Sequence, residues 1–256
     1  MRSFIAFLKK EMIEIYRTGK LIILGAVFLL FGIMNPAIAK LTPFLMEMMS
    51  EELAGNGIVI TEVTVDAITS WTQFFKNIPM ALIAFVLLCG NIFTKEYASG
   101  TLLLILTKGI SRQKILLAKI ASLLCVWTLG YWLCFGITYA YNEYFWDNSI
   151  VNDLFTAVFD QWLFGIFVIA LTVFFSVISE SFGSVLTATA VIVFASYIVS
   201  LFPKLTCFMP TALMNSSVVL TGSDFSEDHI TTVITASVLS ILLTASSIPI
   251  MNKKQL

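Results

Sequence analysis

The side chains able to do chemistry are few, and their spacing brings no reactive set together. The 256 residues hold one histidine, His229, beside Glu227 and Asp228 at the mouth of a long apolar stretch. A zinc site of the His-Glu-x-x-His kind needs two histidines on one helix face. His229 therefore reads as a solvated boundary residue. The four cysteines, Cys89, Cys125, Cys134 and Cys207, have no paired spacing that would frame disulfides or a metal. They read as small apolar residues. No Gly-x-Ser-x-Gly nucleophile elbow exists. A phosphate-binding loop needs Gly-Lys followed by Ser or Thr, and the single Gly-Lys pair, Gly19-Lys20, is followed by Leu21. The chain has no ATP site of its own, so any energy from nucleotide must come through a partner.

The elements that would carry these residues are set by composition. Hydrophobic residues make up 58% of the chain and charged ones 12%, with a mean hydropathy of +0.92. A soluble domain has roughly 25% charged residues, so this chain lacks the polar skin that solubility requires. The 22 Phe, 5 Trp and 7 Tyr suit lipid-facing surfaces and interfacial belts. This is an integral membrane protein, and soluble enzymes and nucleic-acid binders are excluded.

A spanning helix needs roughly 17–25 apolar residues. Seven charge-free stretches reach that length: 21–39, 77–94, 120–142, 161–179, 181–203, 205–223 and 230–252. Charge decides between six spans and seven. Six spans with both termini inside place 12 basic residues inside and 3, Lys40, Lys76 and Lys204, outside. That asymmetry obeys the positive-inside rule, whereas a seventh span would move Lys253 and Lys254 outside for no gain. The stretch 205–223, broken by Pro210, Asn215 and Gly222, then lies outside the count. A re-entrant pair of half-helices fits it, since irregular backbone at membrane depth must be satisfied by protein or water; an apolar surface loop is the alternative.

Before the first span, Phe4, Ile5, Leu8, Met12, Ile15 and Tyr16 form one helical stripe, with Lys10, Glu14 and Arg17 opposite. This predicts an amphipathic helix over 1–19 lying along the inner leaflet and bending near Gly19. Ala37-Ile38-Ala39 mimics a signal-peptidase site, but the preceding apolar run is longer than a signal core of roughly 7–15 residues. The external segment 40–76 is acidic, with Glu47, Glu51, Glu52, Glu62 and Asp66, as a solvated loop would be. The spans themselves hold no acid or base, which argues against ion-coupled transport. Asn91, Thr138, Thr172, Thr187 and Thr189 can line a path, or bond between helices as most membrane hydroxyls do.

One internal segment, 95–119, has a pattern of its own. Lys95-Glu96 closes the second span, Gly100 permits a sharp turn, and Leu102 to Leu106 is an apolar run too short to cross. Gly109 ends that run, Ser111 stands where it can cap the next helix, and Arg112, Lys114 and Lys119 follow. The result is a short oriented helix on the inner face. It either receives a docked partner or simply anchors to anionic headgroups.

This pattern resembles that of the permease subunits of type-2 ABC exporters. Its marks are an acid closing the second span (Glu96), Gly-Thr soon after (Gly100, Thr101), several leucines (Leu103 to Leu106), a turn, Ser-Arg (Ser111, Arg112) and a lysine seven residues on (Lys119). Gly109 stands where many members carry Pro. The layout of the whole chain resembles theirs as well. The resemblance implies an all-α membrane fold with six transmembrane helices, an N-terminal amphipathic elbow helix, a cytoplasmic coupling helix between spans two and three, and re-entrant external half-helices. It further implies a bacterial plasma-membrane protein with cytoplasmic termini, paired with a second permease chain as homodimer or heterodimer. Nucleotide-binding subunits on separate chains would hold Mg-ATP, with no cofactor in this chain. An ion pair between Glu96 and Arg112, and a second contact at Glu180 and Gly183, belong to the same expectation. The alternative is an accessory or immunity membrane protein that binds a partner or peptide without a transport cycle.

Overall fold

The computed structural model describes residues 2–54, 65–107, 109–151, 153–221 and 228–254. Among them there is no strand. The helices are α1 (Arg2–Arg17), α2 (Lys20–Ala54), α3 (Ala67–Cys89), α4 (Thr94–Ser99), α5 (Thr101–Thr107), α6 (Arg112–Phe145), α7 (Leu154–Ile178), α8 (Phe182–Ser200) and α9 (His229–Lys253). Short 3-10 segments lie at Asn148–Ile150, Thr206–Phe208 and Pro210–Thr221. Six stretches are long and apolar enough to cross a membrane: Lys20–Met48, Ala67–Ser99, Arg112–Phe145, Leu154–Ile178, Phe182–Ser200 and His229–Lys253. The protein is an all-α, six-span membrane bundle.

The helices run past the charge-free stretches that announce them. α6 has 34 residues. At 1.5 Å per residue it is about 51 Å long, against a hydrocarbon core of roughly 30 Å, so several turns stand clear of the lipid. The charged turns before residue 120 are thus part of the same rigid rod. α2 likewise continues through Lys40 to Ala54, and α3 starts at Ala67, so much of the expected external loop is helix. Glu62 and the side chains of Glu51 and Glu52 lie outside the described residues, as do Lys108, Gly222 and Glu227.

Both described ends of the chain meet at one end of the bundle, here the terminal face. There α1 pairs with α4 through Lys10 and Glu96, and the start of α6 meets the end of α9 through Arg112 and Met251. Gly19 (φ 74°) supplies the left-handed turn between α1 and α2.

α7 is the centre of the bundle: 72% of its most apolar window is buried, against 11% for α8. Its span was expected at 161–179, but the helix opens at Leu154 and takes in Asp160, which is fully buried. Asp160 Oδ2 lies 2.7 Å from His229 Nε2. The expectations of acid-free spans and of a solvated His229 are therefore corrected. Gly165 gives α7 its close approach to α6, since a Cβ there would fall 2.2 Å from the Trp127 ring. Around Trp127 run edge-on aromatic contacts to Phe28 and Phe85, with centroids 5.8 and 5.7 Å away.

Two prolines leave gaps that neighbouring helices fill. Pro36 in α2 has no N–H to offer the carbonyl four residues back, and Thr138 Oγ1 donates to that Gly32 oxygen at 3.1 Å. Pro79 in α3 frees the Phe75 carbonyl in the same way, and Gln161 Nε2 donates to it at 3.0 Å. Membrane helices tolerate proline where neighbours re-satisfy the backbone.

Candidate functional site at the terminal face

The segment between α3 and α6 folds into two short helices. Gly100 (φ 64°) ends α4, its N–H donating to the Tyr97 carbonyl at 3.2 Å. α5 follows at once. Gly109 (φ 82°) ends it with a bond to the Leu106 carbonyl at 2.9 Å. A left-handed residue after a helix is the ordinary place for glycine. Ser111 occupies the position before α6 and its carbonyl accepts from Lys114 and Ile115, but its hydroxyl makes no cap bond. Within α5, Leu102 is buried, Ile105 and Leu106 are half-buried, and Thr101, Leu103 and Leu104 are exposed. Leu103 and Leu104 keep 52% and 63% of their surface open.

Glu96 does not pair with Arg112. It accepts from Lys119 at 3.0 Å and from Lys10 at 3.3 Å. Lys119 also reaches Glu11 at 2.9 Å, and Lys10 reaches Glu11 at 2.9 Å and Glu14 at 2.8 Å. Lys95 closes the outer edge on Glu14 at 3.4 Å. Lys119 does not extend toward headgroups: it is 1% exposed. The reason is geometric: two carboxylates, Glu11 of α1 and Glu96 of α4, converge on it, and the rings of Phe7 and Phe93 face its ammonium at 5.9 and 5.5 Å. The oxygens of Glu11, Glu14 and Glu96 fall within 4.8 Å of one another, the spacing of a metal-ligand set. Lys10 and Lys119 already supply the cations there, so a metal is not needed to balance the charge.

Outside the spans the same contacts move titrations. Burial opposes ionisation of Glu14, but the Lys10 ammonium overrides it and holds the carboxyl below its ordinary value. Burial likewise disfavours the Lys10 ammonium, yet Glu14, Glu11 and Glu96 raise its pKa well above the ordinary range.

Arg112 makes a different connection. Its Nη1 donates to the carbonyls of Met251 at 2.9 Å and Asn252 at 3.3 Å, and also to that of Lys254. These are the orphan oxygens at the C-terminus of α9, where a cation is favoured. Lys254 repeats the arrangement on α7, donating to Val177 and Ile178 carbonyls at 2.9 and 3.1 Å. Its ammonium lies 3.9 Å from the centre of the Tyr97 ring. The Tyr97 hydroxyl donates to the Val177 carbonyl at 3.4 Å. Burial lowers the Lys254 pKa, partly offset by Glu180.

A family model described as "ABC-2 family transporter protein" matches residues 5–216. The chain belongs to the ABC-2 transporter family. No curated protein and no solved structure matches it. The matched region runs from α1 into the 3-10 helix at Pro210–Thr221, so it includes both charge cluster and short helices. The protein is a membrane component of a transporter.

In this ABC-2 protein the expected site residues divide into groups. Glu96 and Lys119 meet in the buried cluster, while Gly100, Thr101, Leu103, Leu106, Gly109 and Ser111 form the α5 hairpin beside it. Glu180 and Gly183 are exposed at the α7–α8 turn, next to the Lys254 contacts. The five candidate path residues are dispersed. Asn91 accepts from Lys20 at 2.7 Å near the terminal face. Thr138 bonds to Gly32 and receives the Asn35 amide at 3.2 Å. Thr172 and Thr187 donate back to Val168 and Gly183 in their own helices. Thr189 stands apart on α8 and is 4% exposed.

Sequence reasoning missed Glu11. The buried stripe of α1 is Phe7, Glu11 and Ile15, while Ile5 and Tyr16, assigned to the apolar face, are exposed. A lysine at the i+4n register of a facing helix was the available signal, and nothing in a single chain segment ties Lys119 to Glu11. Asn35 was missed too. It is fully buried and accepts from Asn77 at 2.8 Å.

Proposed function

We propose that this chain is the permease subunit of an ATP-binding-cassette exporter, forming the translocation path and coupling to ATPase subunits on separate chains. The observation that carries the reading is the placement of α5. The buried cluster of Glu11, Glu96 and Lys119 fixes the root of the α4–α5 hairpin, while Leu103 and Leu104 stand exposed beside it. Two large leucines on a polar end of a membrane bundle, braced from behind, suit a protein partner better than water. In this reading the terminal face is cytoplasmic, in the bacterial plasma membrane, and the positive-inside asymmetry supports that orientation. The partner ATPase holds Mg-ATP, and its closure displaces α5. The ion cluster passes the displacement to α1 and α6, and the Arg112 contacts pass it to α9. The exposed Glu180–Gly183 turn supplies a second contact. A second permease chain, identical or not, completes the membrane path.

The test is isolation of the tagged chain from its native membrane. A stoichiometric ATPase subunit is expected to co-purify and to be lost on Leu103→Glu with Leu104→Glu. Recovery of a well-folded chain with no ATPase subunit would favour an accessory protein without a transport cycle.

A further inference from the structure

The α4–α5 hairpin meets two lysines through aromatic rings. Phe93, the residue before α4, turns its ring to the Lys119 ammonium at 5.5 Å, at the edge of the ion cluster. One turn on, Tyr97 turns its ring to the Lys254 ammonium at 3.9 Å. The two rings stack on each other, with 6.2 Å between centres and 28° between planes. α4 thus carries a ring pair that runs from the ion cluster to the ends of α7 and α9.

The two lysines are held differently. Lys119 has the carboxylates of Glu11 and Glu96. Among the described residues no carboxylate lies within ion-pair distance of Lys254. Its ammonium has instead the Val177 and Ile178 carbonyls, at the negative end of α7, and the face of Tyr97. A ring face attracts an ammonium through its quadrupole, more strongly where water is excluded. The Tyr97 hydroxyl lies 3.4 Å from the Val177 oxygen and 3.6 Å from the Met251 sulfur. Bonds of that length are weak, so the ring carries the contact. One half-buried side chain of α4 therefore touches both α7 and α9, together with the lysine that joins them.

Tyr97 is also tied to α5 through the main chain. The Gly100 N–H donates to its carbonyl in the left-handed turn that aims α5. A displacement of α5 bears on Tyr97 without passing through α6 or Arg112. We propose that Tyr97 is a positioning residue for coupling, which passes movement of the α4–α5 hairpin through Lys254 to the ends of α7 and α9. This rests on the permease reading and adds to it a route to α7, the most buried span.

The experiment follows amide exchange over 175–179 and 250–254 in the purified chain in nanodiscs, alone and with its ATPase subunit. In the chain alone, Tyr97→Leu and Lys254→Met should each speed exchange at both ends roughly threefold to tenfold, the range of a cation–π contact. The double variant should match the larger single effect, because both remove one contact. Tyr97→Phe, which keeps the ring, should stay near the wild type. Effects that multiply in the double variant would show that the two residues act independently and overturn the proposal. With the ATPase subunit, a non-hydrolysable ATP analogue should change exchange over both segments in the wild type and in Tyr97→Phe. It should not do so in Tyr97→Leu or Lys254→Met, although the subunit is retained, since Leu103 and Leu104 are unaltered. A residue that only fills space would shift the exchange without nucleotide and leave the response to it intact. A surviving response in both variants would therefore overturn the proposal too. Absence of any ATPase subunit would count against the permease reading instead, and the cycle in the chain alone would still decide whether Tyr97 and Lys254 act as one.

Discussion

Thr138 donates to the main-chain oxygen of Gly32 in the gap that Pro36 opens in α2. The same hydroxyl accepts from Asn35, whose oxygen in turn accepts from Asn77, so three helices share one buried polar chain. Thr138→Val leaves the Gly32 oxygen and an Asn35 N–H unsatisfied and is expected to cost about 1–3 kcal/mol. Thr138→Ser should retain most of the stability. Thermal unfolding in detergent measures this, and a stable Thr138→Val chain with altered transport would instead identify a path-lining hydroxyl.

Lys119 is the cation between Glu11 and Glu96. Lys119→Met leaves Lys10 to face two buried carboxylates that had shared two ammonium groups, and breaking a buried pair typically costs about 3–5 kcal/mol. Folded yield should fall sharply. Adding Glu96→Gln to Lys119→Met should recover part of it, because one stranded charge is then removed. A double variant worse than the single one would show that the Lys10 contact to Glu96 outweighs the relief of the unpaired charge.

The docking of α1 has a pH window. The Glu14 carboxyl is more acidic in the folded chain than its ordinary 4.5, so its contribution is complete above that value and is lost as pH falls through the lowered one. The Lys10 ammonium is held above its ordinary 10.5, so its contribution is complete below that value and fades only at still higher pH. A nitroxide at Ile13→Cys should therefore stay immobile between these limits and gain mobility on the acid side. Glu14→Gln should weaken docking at neutral pH and remove that acid-side change.

Topology follows from the charge asymmetry. Asn215→Cys in intact cells should react with an impermeant maleimide, and Asn252→Cys should not. Reaction at position 252 alone would invert the bundle and place α5 outside, where no cytoplasmic ATPase could meet it.

Composition and charge made the number of spans and the position of the short helices legible. Their signals are local: apolar length for a span, glycine at Gly100 and Gly109 for a turn. The pairings were not legible. Glu96 is 16 residues from Arg112 and 23 from Lys119 along the chain, and the pairing with Arg112 rested on the family resemblance, which carries no contact geometry for this chain. α6 begins at Arg112, so Lys119 lies about two turns further along the same helix and meets α1 and α4, while Arg112 reaches the end of α9. Asp160 was hidden for a related reason. Absence of charge marks a span in sequence, yet one buried acid is tolerated once His229 from another helix meets it.

Arg112 separates a structural clamp from a headgroup anchor. One guanidinium serves carbonyls of Met251, Asn252 and Lys254, which fastens the last turn of α9 to the first turn of α6. All three contacts converge on Nη1 at the end of the longer arginine side chain, and a lysine ammonium, shorter in reach and more strongly hydrated, holds these carbonyls less well. Arg112→Ala should therefore free the end of α9, seen as faster amide exchange over 250–254, and should weaken ATPase-subunit retention. Arg112→Lys should fall between the wild type and Arg112→Ala. Lys114→Ala should change neither readout, because Lys114 is exposed and its neighbours at the terminal face are fixed by other groups. A headgroup anchor predicts another ranking: Arg112→Lys silent, and Arg112→Ala equal to Lys114→Ala, each losing about 1 kcal/mol of attraction to an anionic surface. Equal, mild losses in the two alanine variants, with exchange at 250–254 unchanged, would remove the mechanical link between α5 and α9 on which the coupling route depends.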